Sequence, residues 1–179
     1  MEEAMKTWNK GYVHVYTGNG KGKTTAALGL AIRALGANLS VFIGQFVKGM
    51  RYSEINILNP FAPKLTVKQF GRTCFIHQKP EPEDIDAAQQ GFKEFRMICE
   101  KGSYDLIIAD ELNIALYFKL IPQQDVLDMI DNRSTQSELV ITGRYAPAAI
   151  LDRADLITEM NEVRHYYTNG IEAREGIES

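Results

Sequence analysis

Cysteine, histidine and tryptophan are scarce in this 179-residue chain, at two, three and one respectively. Cys74 and Cys99 form neither a CxxC pair nor a metal-ligand cluster, so a disulfide framework and a zinc site of familiar spacing are not expected. They fit a reducing cytoplasm. His14, His77 and His165 are scattered, and no Ser/His/Asp order or Cys–His pairing falls at strand ends, which leaves nucleophilic hydrolysis without a candidate. Long apolar runs are also missing. Stretches such as Leu106-Ile107-Ile108-Ala109 end after a few residues, whereas a membrane span needs about 20. Residues 1–10 carry Glu2, Glu3 and Lys6 around no apolar centre, so no secretory signal is expected. Basic excess is absent too: 20 Lys and Arg face 23 Asp and Glu, a net charge of −3. A duplex-binding surface draws on strong positive charge, so nucleic acid is not an expected partner. There is no flavin or iron–sulfur motif, repeat, low-complexity tract or linker. What is present is an ordinary globular composition, 45% hydrophobic and 24% charged. It reads as one domain over 1–179, long enough to bury a core.

Apolar, β-rich runs alternate with helical patterns. Strands are expected over 12–16, 39–46, 65–70, 105–109, 139–142 and 155–159. Helices are expected over 22–35, 83–101, 112–120, from Pro122 to 130, and briefly over 147–152. On the first helix Thr25, Leu28, Ile32 and Leu35 share one face, and on the second Ile85, Ala88, Phe92, Phe95 and Cys99 do so. Residues 47–63 read as irregular, with Pro60 and Pro63 as breakers. Strand–helix alternation with apolar strands predicts a mostly parallel sheet covered on both faces.

The sharpest motif is Thr17-Gly18-Asn19-Gly20-Lys21-Gly22-Lys23-Thr24-Thr25, between the first strand and the first helix. That is the setting of a phosphate loop. Glycines let successive N–H groups curl around phosphate oxygens. The helix N-terminus adds partial positive charge. Lys23 brings a point charge to the phosphates and Thr24 a hydroxyl for Mg²⁺. Thr17 stands where the general pattern has its leading glycine.

The strand 106–109 runs into Asp110 and Glu111. In phosphate-loop proteins an acid at such a strand end is the second Mg²⁺ anchor, and strand ends converge on the ligand crevice. Both carboxylates are candidates, with Glu111 ranked first; a helix-start acid favouring the dipole is the competing reading. Arg144, after the next apolar strand, should reach the same edge, as a phosphate contact or a solvated loop residue. Arg33, on the first helix, reads equally as a nucleotide contact or a surface charge. His14 reads as a satisfied core histidine and Asp105 as structural.

The run TGNGKGKTTAALGLAIRALG over 17–36 resembles the P-loop-type corrinoid adenosyltransferases. The resemblance continues in QFVKG, LIIADELN, VITGR, ADLITEM and NGIEAREGIE, in the family's order across nearly the whole chain. It implies a RecA-like α/β fold and a homodimer. It implies transfer of the 5′-deoxyadenosyl group of ATP to cobalt(I) of a reduced corrinoid, in cobalamin synthesis or salvage. Triphosphate leaves, and the loop holds it in the reverse sense to an ATPase. Carried onto this chain, Gly18, Asn19, Gly20, Lys21, Gly22, Lys23 and Thr24 bind phosphate. Thr24 and Glu111 hold Mg²⁺. The segment after Gly71 should lie by the corrin ring, where family members carry aromatics; here only Phe75 is aromatic. Electrons come from an external protein or flavin. Two other readings share the loop: a RecA-like ATPase or nucleoside kinase, and an ATP-dependent switch. The phosphorus product separates them.

Overall fold

A computed structural model of the chain describes residues 8–47, 63–71 and 80–178. Its elements run β1 (Val13–Thr17), α1 (Lys23–Gly36), β2 (Val41–Phe46), β3 (Leu65–Phe70), α2 (Pro82–Lys101), β4 (Leu106–Asp110), α3 (Leu112–Tyr117), α4 (Gln123–Asn132), β5 (Glu138–Thr142), α5 (Ala148–Leu151) and β6 (Leu156–Glu159), followed by a 3₁₀ turn at Tyr166–Asn169. Each lies within a residue or two of its expected position, α3 ending three residues early. Phe75, Cys74 and His77 lie outside the described residues.

The six strands form one sheet in the order β3-β2-β4-β5-β1-β6, and every pairing is parallel. β2, β4 and β5 are buried almost throughout, as expected of strands covered on both faces. One face packs Phe42, Phe46, Ile107, Ala109 and Ile141 against α2, α3, α4 and α5. On the other face α1 covers Val41, Ile43, Leu106, Ile108 and Val140. Phe46, Phe70, Phe92 and Phe95 interlock at 5.3–6.4 Å between centroids, the tilted spacing aromatic rings prefer.

The face predicted for α1 is corrected. Its buried residues are Ala27, Ala31 and Ala34 with Lys23, while Ile32 is 56% exposed. Small side chains at i, i+4 and i+7 let the helix lie close on the sheet, and the larger Leu28 and Leu35 pack only at the margin. The α2 stripe stands as expected, with Ile85 at its edge. There the Asp84 carboxylate accepts the Glu81 N–H at 2.9 Å, closing the first turn.

The chain leaves β1 in one direction, through α1 to β2, and later returns to place β6 on β1's other side. β1 and its neighbour β5 thus send their connections opposite ways along the sheet, to β2 and to β6. In open parallel sheets the crevice at the carboxyl ends beside such a reversal is where ligands bind.

Candidate active site

The phosphate loop sits at that crevice. Gly18 and Gly22 have φ of +92° and +121°, a region L side chains avoid. A Cβ on Gly18 would also stand 2.4 Å from the Met160 carbonyl oxygen. Thr17 needs neither freedom. It is the last residue of β1, paired with Glu159 and buried, so the curl starts one residue later and a side chain at position 17 is tolerated.

Lys23 opens α1 and is 7% exposed. Its Nζ donates to the carbonyls of Gly18 at 2.8 Å and Gly20 at 2.7 Å. Burial lowers its pKa below the ordinary lysine value, Arg144 lowers it further, and Glu111 partly opposes both. An ammonium held by two neutral carbonyls in a part-dry site is poised for an anion. Gly20 donates its own N–H to Met160 O at 2.6 Å, so that amide points toward the segment after β6.

Asp110 ends β4 and is 1% exposed. Its Oδ1 accepts the Thr24 and Thr142 hydroxyls, each at 2.8 Å, and its Oδ2 accepts Gln45 Nε2 at 3.4 Å. The buried carboxylate thus ties the loop helix to β5 and β2. Glu111 follows with φ +61° and donates its N–H to Thr142 Oγ1 at 3.0 Å. The structure brings Lys23, Thr24, Asp110, Glu111 and Arg144 to one edge, and it is Asp110, ranked second from sequence, that meets Thr24. Arg33 stands apart. It is in the last turn of α1, about 15 Å of helix from Lys23, where its charge acts weakly on Tyr16.

Val47, Glu111 and Tyr145 have φ of +59°, +61° and +60°, just past the ends of β2, β4 and β5. Non-glycine residues in this region cost of order 1–3 kcal/mol and gather where a ligand site over-determines the backbone. Sequence reasoning missed Gln45, Thr142, Asn113 and Met160. Asn113 is fully buried and donates to Gly143 O at 3.2 Å, which fixes the turn before Arg144. The available signal was a polar residue in or beside an apolar run: Gln45 in VFIGQF, Thr142 in ELVIT, Asn113 in LNIALY. Asp105 is structural, its carboxylate accepting the Ser40 N–H and hydroxyl at 2.9 Å each. His14 is satisfied, with its side chain 16% exposed, its Nε2 on Glu138 and its Nδ1 on the Tyr16 hydroxyl.

A parallel sheet, a glycine loop at a winding reversal, and a loop threonine bonded to a strand-end aspartate define a P-loop nucleotide-binding protein. Solved structures agree on that fold. A KaiC-like protein from Pyrococcus horikoshii OT3 aligns with a TM-score of 0.55 at 13% identity, covering 86% of this chain and 74% of its own. The genome packaging NTPase of Sulfolobus turreted icosahedral virus 2, in complex with AMP, aligns at 0.50 and 17% identity, covering 85% and 76%. Within this class the chain belongs to the family described as ATP:corrinoid adenosyltransferase BtuR/CobO/CobP, whose profile matches residues 9–179. The corrinoid adenosyltransferase of Escherichia coli K12 is 33% identical over 170 residues, covering 94% of this chain and 86% of its own. Corrinoid adenosyltransferase CobA of Salmonella typhimurium is 32% identical with the same coverage.

Proposed function

We propose that this chain transfers the 5′-deoxyadenosyl group of ATP to the cobalt of a reduced corrinoid and releases triphosphate. The observation that carries the reading is the Thr24–Asp110 hydrogen bond, which joins the phosphate loop to the acidic strand end in a member of this family. Family membership favours it over a RecA-like ATPase or a nucleoside kinase.

The residues do what such a transfer asks of a protein. Cobalt(I) is itself the nucleophile and has no proton to lose, so no general base is required. What is required is alignment of C5′ and a stabilised polyanionic leaving group. Alignment is worth about 7–11 kcal/mol. Lys23 and the loop amides supply fixed positive charge where negative charge develops. Arg144, close enough to lower the Lys23 pKa, adds a second cation at the same edge.

Thr24, Asp110 and Glu111 offer only hard oxygen donors, and they suit Mg²⁺, which takes one or two carboxylates plus phosphate oxygens. These three residues would hold it, and it would neutralise part of the triphosphate charge. Among the described residues there is no cluster of three or more His, Cys, Asp or Glu to hold a metal by protein ligands alone. On this reading the enzyme works in the cytoplasm as a homodimer. It takes electrons from an external reductant such as a flavoprotein. No helix among the described residues is long and apolar enough to cross a membrane.

The test is anaerobic incubation with ATP, Mg²⁺ and chemically reduced cobalamin. A cobalt–carbon spectrum with stoichiometric triphosphate is expected. ADP and phosphate in place of triphosphate would overturn the proposal.

A further inference from the structure

The segment after β6 returns to the phosphate loop and grips it through Lys21 and Gly20. Lys21 Nζ donates to Ile177 O at 2.6 Å, to Glu178 Oε1 at 2.9 Å and to the Tyr166 hydroxyl at 3.4 Å. Glu178 also accepts the Tyr166 hydroxyl, the Arg174 N–H at 2.8 Å and the Arg174 guanidinium at 3.3 and 3.4 Å. Arg174 in turn lies 5.0 Å over the Tyr166 ring. One carboxylate therefore organises two side chains, Tyr166 and Arg174, around a loop lysine. Upstream, Met160 N donates to Thr17 O at 2.9 Å and Met160 O accepts Gly20 N at 2.6 Å.

The Lys23 contacts are of a different kind. Its ammonium spends two of its three donors on the Gly18 and Gly20 carbonyls, which leaves the third for a phosphate. The outer ties, through Lys21 and Gly20, run instead to residues beyond the loop. They also orient the Lys21 ammonium toward Glu178, leaving Lys23 as the loop's side-chain cation for the nucleotide.

We propose that Glu178 is a positioning residue: by holding Lys21 outward, it keeps the phosphate loop curled before and during triphosphate binding. This rests on the reading of the loop as the triphosphate site. It narrows the sequence expectation for Lys21, whose backbone remains in the loop while its ammonium is an anchor. The low pKa of Glu178, caused first by its hydrogen bond from Lys21, agrees with a carboxylate held in use.

The test is a double-mutant cycle of Lys21→Met and Glu178→Gln, read by ATP·Mg²⁺ titration without corrinoid, by kinetics, and by hydrogen exchange at loop residues 18–24. Coupled residues are non-additive. Each single change should weaken ATP binding by about three- to tenfold, and the double change no further. KM for ATP should rise while kcat at saturating ATP stays within about twofold, and loop exchange should quicken in the ligand-free protein at unchanged melting temperature. If Lys21→Met weakens binding while Glu178→Gln leaves both affinity and exchange unchanged, Lys21 is a direct phosphate ligand and the proposal falls. It falls equally if the two losses multiply. A wild-type protein that binds ATP but forms no adenosylcorrinoid would refute the adenosyl-transfer reading alone, because titration and exchange still decide the role of Glu178.

Discussion

Replacing Asp110 by alanine and by asparagine should separate its structural part from its electrostatic part. Alanine removes the acceptor for three donors: the Thr24 and Thr142 hydroxyls at 2.8 Å and Gln45 Nε2 at 3.4 Å. Thr24 is part-exposed and water can serve it, but Thr142 and Gln45 are 0% exposed. Two buried donors left unsatisfied cost about 1–3 kcal/mol each, so Asp110→Ala should lose about 2–6 kcal/mol. At about 2–4 °C per kcal/mol for a chain of this size, the melting temperature falls by roughly 4–24 °C. Asparagine keeps an oxygen for the two hydroxyls. Its amide meets Gln45 Nε2, a donor–donor contact that turning the Gln45 amide relieves, with Gln69, which now donates to Gln45 at 3.1 Å, turning in response. Stability should then stay within about 1 kcal/mol of wild type. The negative charge is lost all the same, and with it a charge-assisted interaction worth about 1.5–3 kcal/mol. Asp110→Asn should therefore need roughly 10- to 100-fold more Mg²⁺ for half-maximal adenosyl transfer. Calorimetry and a Mg²⁺ titration on the same preparations check both arms. Equal melting temperatures for the two variants, or a wild-type Mg²⁺ requirement in Asp110→Asn, would refute the assignment.

The depressed Lys23 pKa sets two opposite pH trends. Lys23 must be charged to bind phosphate, so ATP affinity should fall as pH rises through its pKa, in a window that opens below the ordinary value of 10.5. The unfolded chain binds the proton more tightly there, so stability from this group rises over the same window. Arg144→Gln should move the affinity loss to higher pH in alkaline ATP titrations. Gly18→Ala, with φ +92° and a Cβ 2.4 Å from Met160 O, should abolish ATP binding and lower the melting temperature. Gly29→Ala, in mid-helix with open space around it, should instead stabilise by about 0.5–1 kcal/mol. Glu111→Gly removes a carboxylate but relieves a left-handed backbone at φ +61°, so activity should drop without a loss of melting temperature.

The elements were legible in the sequence because their signals are local. β3 showed Leu65, Thr66 and Val67 leading to Phe70, and α2 showed a stripe from Ile85 to Cys99 bounded by Pro82 and Gly102. α1 misled for a physical reason. Periodicity marks the bulky residues, yet this helix packs by Ala27, Ala31 and Ala34 and leaves Ile32 in solvent. The loop was legible because phosphate chemistry demands its glycines in order. The partner of Thr24 was less so. Asp110 and Glu111 are adjacent, and only the last step of β4, which turns one inward and leaves the other at a left-handed turn, tells them apart. The grip of residues 160–178 on the loop leaves no local trace, since Lys21 and Glu178 are 157 residues apart.

The position of β1 between β5 and β6 has a consequence for how the molecule comes into being. The strand that launches the phosphate loop is made first, but neither of its neighbours exists until residue 138 and beyond. Its earliest long-range ties, Tyr12 N–H to Glu138 and Val13 N–H to Asp155, close loops of 126 and 142 residues. Closing such loops comes before any return from the contacts made, which slows folding and prolongs exposure of apolar strands. β2, β3 and β4 can assemble beforehand as a three-stranded unit. The nucleotide loop thus matures last, and an amino-terminal fragment that contains every residue of the motif, cut anywhere before β5, should hold its sequence but not its shape.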